Sequence, residues 1–140
     1  NVIHQVWLGT HELPPAKKYF LEKTQLVYPD YEVKPGGKAN HQVTFPFTFE
    51  LVQNLLKFNK RSPYSKLATV TDLLRHEILY WQGGFWKDAG MNMLRPIFDE
   101  FLTYDIAIAV DKNFRYRWLQ GMCFFGNKPR LENMLRVTSV

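Results

Sequence analysis

Hydrophobic and polar positions along the chain fall into short apolar runs separated by longer segments with a helical period. The apolar runs have the length of strands and cover residues 2–8, 31–34, 85–87, 106–110 and 118–125. Helices are expected at residues 15–27, 48–60, 66–82 and 96–102, and from Lys128 onward. Strands that alternate with helices are typical of an α/β domain with a largely parallel sheet. In such sheets ligands bind beyond the carboxyl ends of the strands.

The segment 66–82 shows the clearest helical pattern. Its apolar side chains recur every three or four residues, as Leu67, Val70, Leu74, Ile78 and Trp81. Gly83-Gly84 ends the helix, as glycines after a last turn do. Asp72 and Arg75 are three residues apart and therefore project from the same side of one turn. Together they could bind a polar ligand, although, taken alone, these two residues are more simply explained as a surface ion pair.

Two further positions follow strands and are candidates for a site. Asp88 comes directly after the run 85–87, where Asp-Ala-Gly also suits an ordinary turn. Trp7 stands near the end of the first strand, where an indole serves either as a core anchor or as a surface on which a base stacks. The sequence around each residue does not by itself distinguish a site residue from a structural one.

Composition and charge restrict the class of protein. The 140 residues are 46% hydrophobic, which suits one folded domain, and no apolar run reaches the roughly 18 residues of a membrane-spanning helix. Residues 1–111 are neutral, whereas residues 112–140 hold six basic side chains and one acidic, which accounts for the net charge of +5. Nucleic-acid binders more often spread basic residues along the fold, so no nucleic-acid partner is predicted. The basic segment suits either a solvated end or a local patch for a phosphate, an acidic partner or a lipid head group.

Cysteine usage bears on the compartment. Cys123 is the sole cysteine and lies in an apolar run, so no internal disulfide is possible and an inert buried thiol is expected. No acceptor for N-glycosylation occurs. Both observations favour a reducing intracellular or organellar compartment, while a Golgi lumen stays compatible with them.

Three segments in order carry a family resemblance: IHQVWLG at 3–9, DLLR at 72–75 and YWQGGFWKDAG at 80–90. Together they resemble the sugar-nucleotide glycosyltransferases with a DXD motif, the group that contains yeast initiating mannosyltransferase-like enzymes and the large clostridial glucosylating toxins. The resemblance covers residues 1–111. It implies the GT-A fold, a Rossmann-like α/β sandwich that binds a nucleotide sugar and usually Mn²⁺ or Mg²⁺.

The resemblance also implies roles for single residues. Trp7 would stack on the nucleotide base, and Asp72 and Arg75 would hold the donor sugar, with Arg75 also near the pyrophosphate. Trp86 occupies the aromatic position before the motif and is expected, with Trp7 and Asp88, to help bind the nucleotide sugar. Asp88 is the first aspartate of the motif, which would contact ribose or sugar and is the one metal ligand that the motif retains here.

The sequence departs from the family pattern at the motif itself. Gly90 stands where the second, metal-binding aspartate belongs, and Lys87 replaces a usually apolar residue. Lys87 could compensate for the missing carboxylate or point to solvent, and Asp111 could serve as another carboxylate. The chain is also shorter than the catalytic domains of the family. A single domain is therefore expected, with a nucleotide-sugar-binding part at 1–111 and a basic part at 112–140.

Two functions follow from this pattern. The first is a glycosyltransferase that moves a sugar from a nucleoside diphosphate sugar to an acceptor, with Mn²⁺ or Mg²⁺ as the cofactor that the resemblance implies. The alternative is a catalytically inactive glycosyltransferase-like domain that serves as a structural subunit of a larger assembly. In that case residues 112–140 would contact other protein subunits.

Overall fold

The described part of the chain forms five strands and three helices. The computed structural model describes residues 1–7, 12–36, 63–110 and 119–126, together with positions 50, 54 and 57. The strands are β1 (Val2–Val6), β2 (Glu32–Gly36), β3 (Gly84–Lys87), β4 (Ile106–Val110) and β5 (Leu119–Gly126). The helices are α1 (Pro15–Val27), α2 (Pro63–Gln82) and a 3₁₀ helix, Phe98–Phe101. The predicted helix from Lys128 lies outside the described residues, as does most of the helix predicted at 48–60.

The five strands form one sheet in the order β2-β1-β3-β5-β4. β1 is parallel to both β2 and β3, whereas β5 is antiparallel to both β3 and β4. Four strands therefore run in one direction and β5 runs against them, which confirms a largely parallel α/β sheet. The reversal of β5 was not predicted, because an apolar run indicates a strand but carries no information on its direction.

Helix α2 covers one face of the sheet. Its 20 residues pack against β3 through a buried cluster of Val70, Leu74, Ile78, Leu79 and Trp86. Trp81, which was expected on the apolar face, lies outside this cluster, is half-buried and donates its indole N–H to Glu77 at 3.3 Å. The flank of α2 that carries Arg75 and Leu79 faces the sheet instead, and this buries Arg75. Within the described segments, no helix combines the length and apolar character needed to cross a membrane.

The opposite face of the sheet holds a second, aromatic cluster. Ile3, Tyr28, Phe85, Met93 and Phe98 are buried together. The rings of Phe85 and Phe98 stack with centroids 4.1 Å apart, and the hydroxyl of Tyr28 accepts the backbone N–H groups of Ile97 and Phe98 at 2.7 and 3.1 Å. These contacts anchor the segment that follows β3 on the sheet.

Gly83 and Gly84 connect α2 directly to β3. Both have positive φ values, 65° and 88°, which side chains other than glycine rarely adopt. The N–H of Gly83 donates to the carbonyl of Leu79 at 2.8 Å and closes the helix, as predicted. A Cβ on Gly84 would lie 2.6 Å from the backbone oxygen of Val2, so β1 packs too closely for any other residue. His4 of β1 donates from Nε2 to the carbonyl of Gly83 at 2.9 Å.

Candidate functional site

The candidate site lies at the carboxyl edge of the sheet, where β1 and β3 end side by side. The register pairs Ile3 with Phe85 and His4 with Trp86. Because the two strands are parallel neighbours, the residues that follow them emerge at the same edge. Trp7 therefore lies at the edge that also carries Asp88.

Arg75 is the centre of this site. Its side chain is only 6% exposed, and it forms a hydrogen-bonded ion pair with Asp72. The guanidinium also lies 3.8 Å from the Asp88 carboxylate and 5.4 Å from the ring centre of Trp86. Asp88 in turn accepts the indole N–H of Trp86 at 2.8 Å. The structure thus brings together four of the predicted site residues, Asp72, Arg75, Trp86 and Asp88, in one closed network.

The burial of these residues divides them into two groups. Asp72 and Asp88 are 65% and 33% exposed and can reach a ligand. Trp86 has no exposed surface. Trp86 therefore belongs to the core, and it can act on a ligand only through the positions of Arg75 and Asp88. A part for Trp86 in binding the nucleotide sugar stays a prediction, and that part would be to position Arg75 and Asp88.

Charge in the site is arranged around the single guanidinium. Partial desolvation raises the pKa of Asp72, the nearby Asp88 carboxylate acts in the same direction, and the direct contact with Arg75 opposes both. Burial, together with the positive charge of Arg75, lowers the pKa of His76 to about 4. His76 is therefore neutral near pH 7 and adds no positive charge to the site.

Lys87 points into the protein and braces the turn that follows β3. Its side chain has no exposed surface, and Nζ donates to the carbonyls of Met91 and Asp88 at 2.7 and 3.3 Å. The N–H of Met91 closes the turn by donating to the carbonyl of Asp88 at 3.0 Å. Of the two orientations left open by the sequence, the structure selects the inward one. Gly90, in the same turn, is exposed, and a Cβ there would meet nothing within 4 Å.

The residues of this turn do not form the paired-carboxylate metal site that the family resemblance implies. Gly90 provides no ligand, and one oxygen of Asp88 already accepts the Trp86 indole. Among the side chains that the structure describes, at residues 1–7, 12–35 and 69–109 and at positions 50, 54 and 57, no three His, Cys, Asp or Glu converge as metal ligands would. Asp111 lies outside the described residues, as do the side chain of Cys123 and the basic segment 112–140.

Trp7 is half-buried and is covered on one ring face by a lysine that sequence reasoning missed. Lys17 Nζ lies 4.1 Å from the ring centre, within the range of a cation–π contact. The signal for this contact was available. Pro15 begins α1 soon after β1 ends, and the helix of a βαβ unit starts at the carboxyl edge of its first strand, so the first turn of α1 returns to Trp7.

Comparison with known proteins supports the fold. No protein-family model matches the sequence, and no curated protein matches it. Among solved structures, the chain is similar to one titled PaToxG Glycosyltransferase, with a TM-score of 0.66 and 15% sequence identity over 98% of this chain. The match spans 57% of that chain. At this identity the likeness concerns the fold, and the chain has a glycosyltransferase-like α/β fold.

Proposed function

We propose that this chain binds a nucleoside diphosphate sugar at the carboxyl edge of β1 and β3 and transfers the sugar to an acceptor. The observation that carries the proposal is Arg75, a guanidinium with 6% exposure held against Trp86 between two partly exposed carboxylates. A surface ion pair would not need such a setting. The glycosyltransferase-like fold supports the same conclusion, because the network lies where ligands bind in open α/β sheets.

Each group of the site has chemistry that suits part of the donor. The Asp72 carboxylate accepts hydrogen bonds from sugar hydroxyls, and Asp88 does the same for the ribose or the sugar. The Arg75 guanidinium offers several N–H donors and a permanent positive charge near the diphosphate. That charge stabilises the negative charge that develops on the departing nucleoside diphosphate. Trp7 provides an aromatic surface for the base.

Titration with UDP- and GDP-sugars, with and without Mn²⁺, tests this proposal. Asp88→Asn removes the charge next to Arg75 but keeps an oxygen that can accept the Trp86 indole. We expect it to weaken donor binding about tenfold or more, since a hydrogen bond to a charged group contributes about 1.5–3 kcal/mol. Asp30→Asn, at an exposed turn, is the matched control and should bind like the unaltered chain. Failure of the unaltered chain to bind any of these donors refutes the proposal.

A second function, favoured by Gly90, is an inactive glycosyltransferase-like subunit of a larger assembly. The missing side chain removes a carboxylate that the motif normally supplies, so the site could bind a donor without turning it over. Under this alternative, residues 112–140 contact another chain and donors are bound without hydrolysis or transfer. Purification as a stable monomer that releases nucleoside diphosphate from a bound donor contradicts it.

A further inference from the structure

The turn Asp88–Met91 offers a divalent cation few oxygen atoms. Oδ1 of Asp88 accepts the Trp86 indole N–H at 2.8 Å and lies 3.8 Å from the Arg75 guanidinium. Gly90 contributes no side-chain oxygen. Mg²⁺ and Mn²⁺ are held by carboxylate and carbonyl oxygens. The turn retains one side-chain group of that kind, Asp88, and one of its two oxygens is already engaged.

Two backbone oxygens of the turn are also engaged, and by a protein cation. Nζ of Lys87 takes the carbonyls of Met91 and Asp88 at 2.7 and 3.3 Å from a position with no exposed surface. The Asp88 carbonyl additionally accepts the N–H of Met91. A lysine in this position uses oxygens that a metal would need, and its ammonium form repels a second cation.

The fold does not require glycine at position 90. A Cβ there would meet no atom within 4 Å, and its backbone is outside the left-handed region that Gly83 and Gly84 occupy. An aspartate would therefore fit without rearrangement. The missing carboxylate is a property of the site rather than a consequence of folding.

From these observations we infer that donor binding by this chain is independent of a divalent metal, with Arg75 supplying positive charge near the diphosphate. The inference rests on the proposed function, because it concerns how the same site holds the same class of ligand. It goes beyond that function in stating that no divalent metal takes part in donor binding.

The first experiment measures metal binding without nucleotide. Mn²⁺ is titrated into the unaltered chain, Gly90→Asp and Gly90→Asn, and free Mn²⁺ is followed by electron paramagnetic resonance. We expect Gly90→Asp to bind Mn²⁺ about tenfold or more tightly than the other two proteins, because a second carboxylate completes the ligand pair. Gly90→Asn is the matched control for side-chain size.

The second experiment measures the affinity for UDP and GDP in EDTA and in Mn²⁺. For the unaltered chain we expect the two affinities to agree within about twofold. For Gly90→Asp we expect tighter binding in Mn²⁺ than in EDTA, and for Arg75→Met a loss of binding in both conditions. The comparison within the unaltered chain decides the question even if Gly90→Asp does not fold.

Two results overturn the inference. One is Mn²⁺ binding by the unaltered chain that is as tight as Mn²⁺ binding by a Gly90→Asp protein that does bind it, and the other is a fall of about tenfold or more in nucleotide affinity when EDTA replaces Mn²⁺. Absence of nucleotide binding under every condition is a different result. It refutes the proposed function, while the Mn²⁺ titration still decides whether Gly90 is what keeps the metal from the turn.

Discussion

Replacement of Arg75 by methionine tests whether the buried member of the Asp72–Arg75 pair matters more for stability than the exposed one. We expect the loss of Arg75 to lower the free energy of unfolding more than the loss of the Asp72 charge. The two side chains differ in exposure, 6% for Arg75 and 65% for Asp72. Methionine keeps an unbranched apolar stem of similar width, so the packing against Trp86 is largely retained. What Arg75→Met removes is the guanidinium with its contacts to both carboxylates.

The expected loss follows from these contacts. A hydrogen bond between charged groups contributes about 1.5–3 kcal/mol. Because Asp72 is largely exposed to solvent, we place its pair with Arg75 near the lower value. The contact with the Trp86 ring adds about 0.5–1 kcal/mol. Asp88 keeps its bond from the Trp86 indole and is not left without a partner. We therefore expect Arg75→Met to lower the free energy of unfolding by about 2–3 kcal/mol.

Asp72→Asn should behave differently although it breaks the same pair. In this variant Arg75 keeps the Asp88 carboxylate as a charge partner, and the amide oxygen at position 72 can still accept from the guanidinium. The substitution also relieves the repulsion by Asp88, so the loss should be at most about 1 kcal/mol. Urea unfolding followed by tryptophan fluorescence gives both values from the shift in midpoint at unchanged slope. Arg95→Met, at an exposed position, is the control and should change the free energy by less than about 0.5 kcal/mol. Equal losses for Arg75→Met and Asp72→Asn, or for Arg75→Met and Arg95→Met, refute the reasoning.

The remaining predictions concern a pair of glycines and one histidine. Gly84→Ala should destabilise the fold by about 2 kcal/mol or more, since φ is 88° and the new Cβ would lie 2.6 Å from a backbone oxygen of β1, whereas Gly90→Ala should stay within about 0.5 kcal/mol. Thermal unfolding compares the two variants, and equal shifts in the unfolding midpoint would contradict the conclusion that the fold requires glycine at position 84 but not at position 90. His76 has a pKa of about 4 in the folded protein against 6.5 ordinarily, so the unfolded chain binds its proton first and stability falls as the pH drops from 6.5 towards 4. His76→Gln should reduce that fall by about 1–3 kcal/mol, a range lowered for partial exposure, and an unchanged pH profile of the unfolding midpoint would disprove it.

Local sequence patterns predicted the elements and the contacts made within one element. Helix α1 spans Pro15–Val27 as expected, and the spacing of Asp72 and Arg75 correctly placed their side chains in contact. These features depend on helix geometry alone. The approach of Asp88 to Arg75 needed the order of strand and helix as well, which the family resemblance supplied.

Features that depend on tertiary packing could not be predicted. The direction of β5 depends on the strands beside it, and the inward orientation of Lys87 depends on the carbonyls around it. No local sequence pattern indicates either feature. A lysine at the end of a short strand usually points to solvent, because burial of an amine is unfavourable without hydrogen-bond acceptors. Here the carbonyls of Met91 and Asp88 provide those acceptors, and the turn that presents them forms only in the folded chain.

The two ends of β3 show why the missing carboxylate bears on function. At the start of the strand, the backbone oxygen of Val2 lies too close to Gly84 for any side chain, so the fold requires glycine there. Three positions after the strand ends, Gly90 has open space around it, and the fold explains nothing about it. An aspartate at position 90 would stand in the same turn as the Asp88 carboxylate, which already lies beside Arg75, and would add negative charge there unless a metal ion compensated it. Glycine avoids that third carboxylate, so the Arg75 guanidinium is opposed by Asp72 and Asp88 only, and the edge repels an anionic diphosphate less than it would with aspartate at position 90.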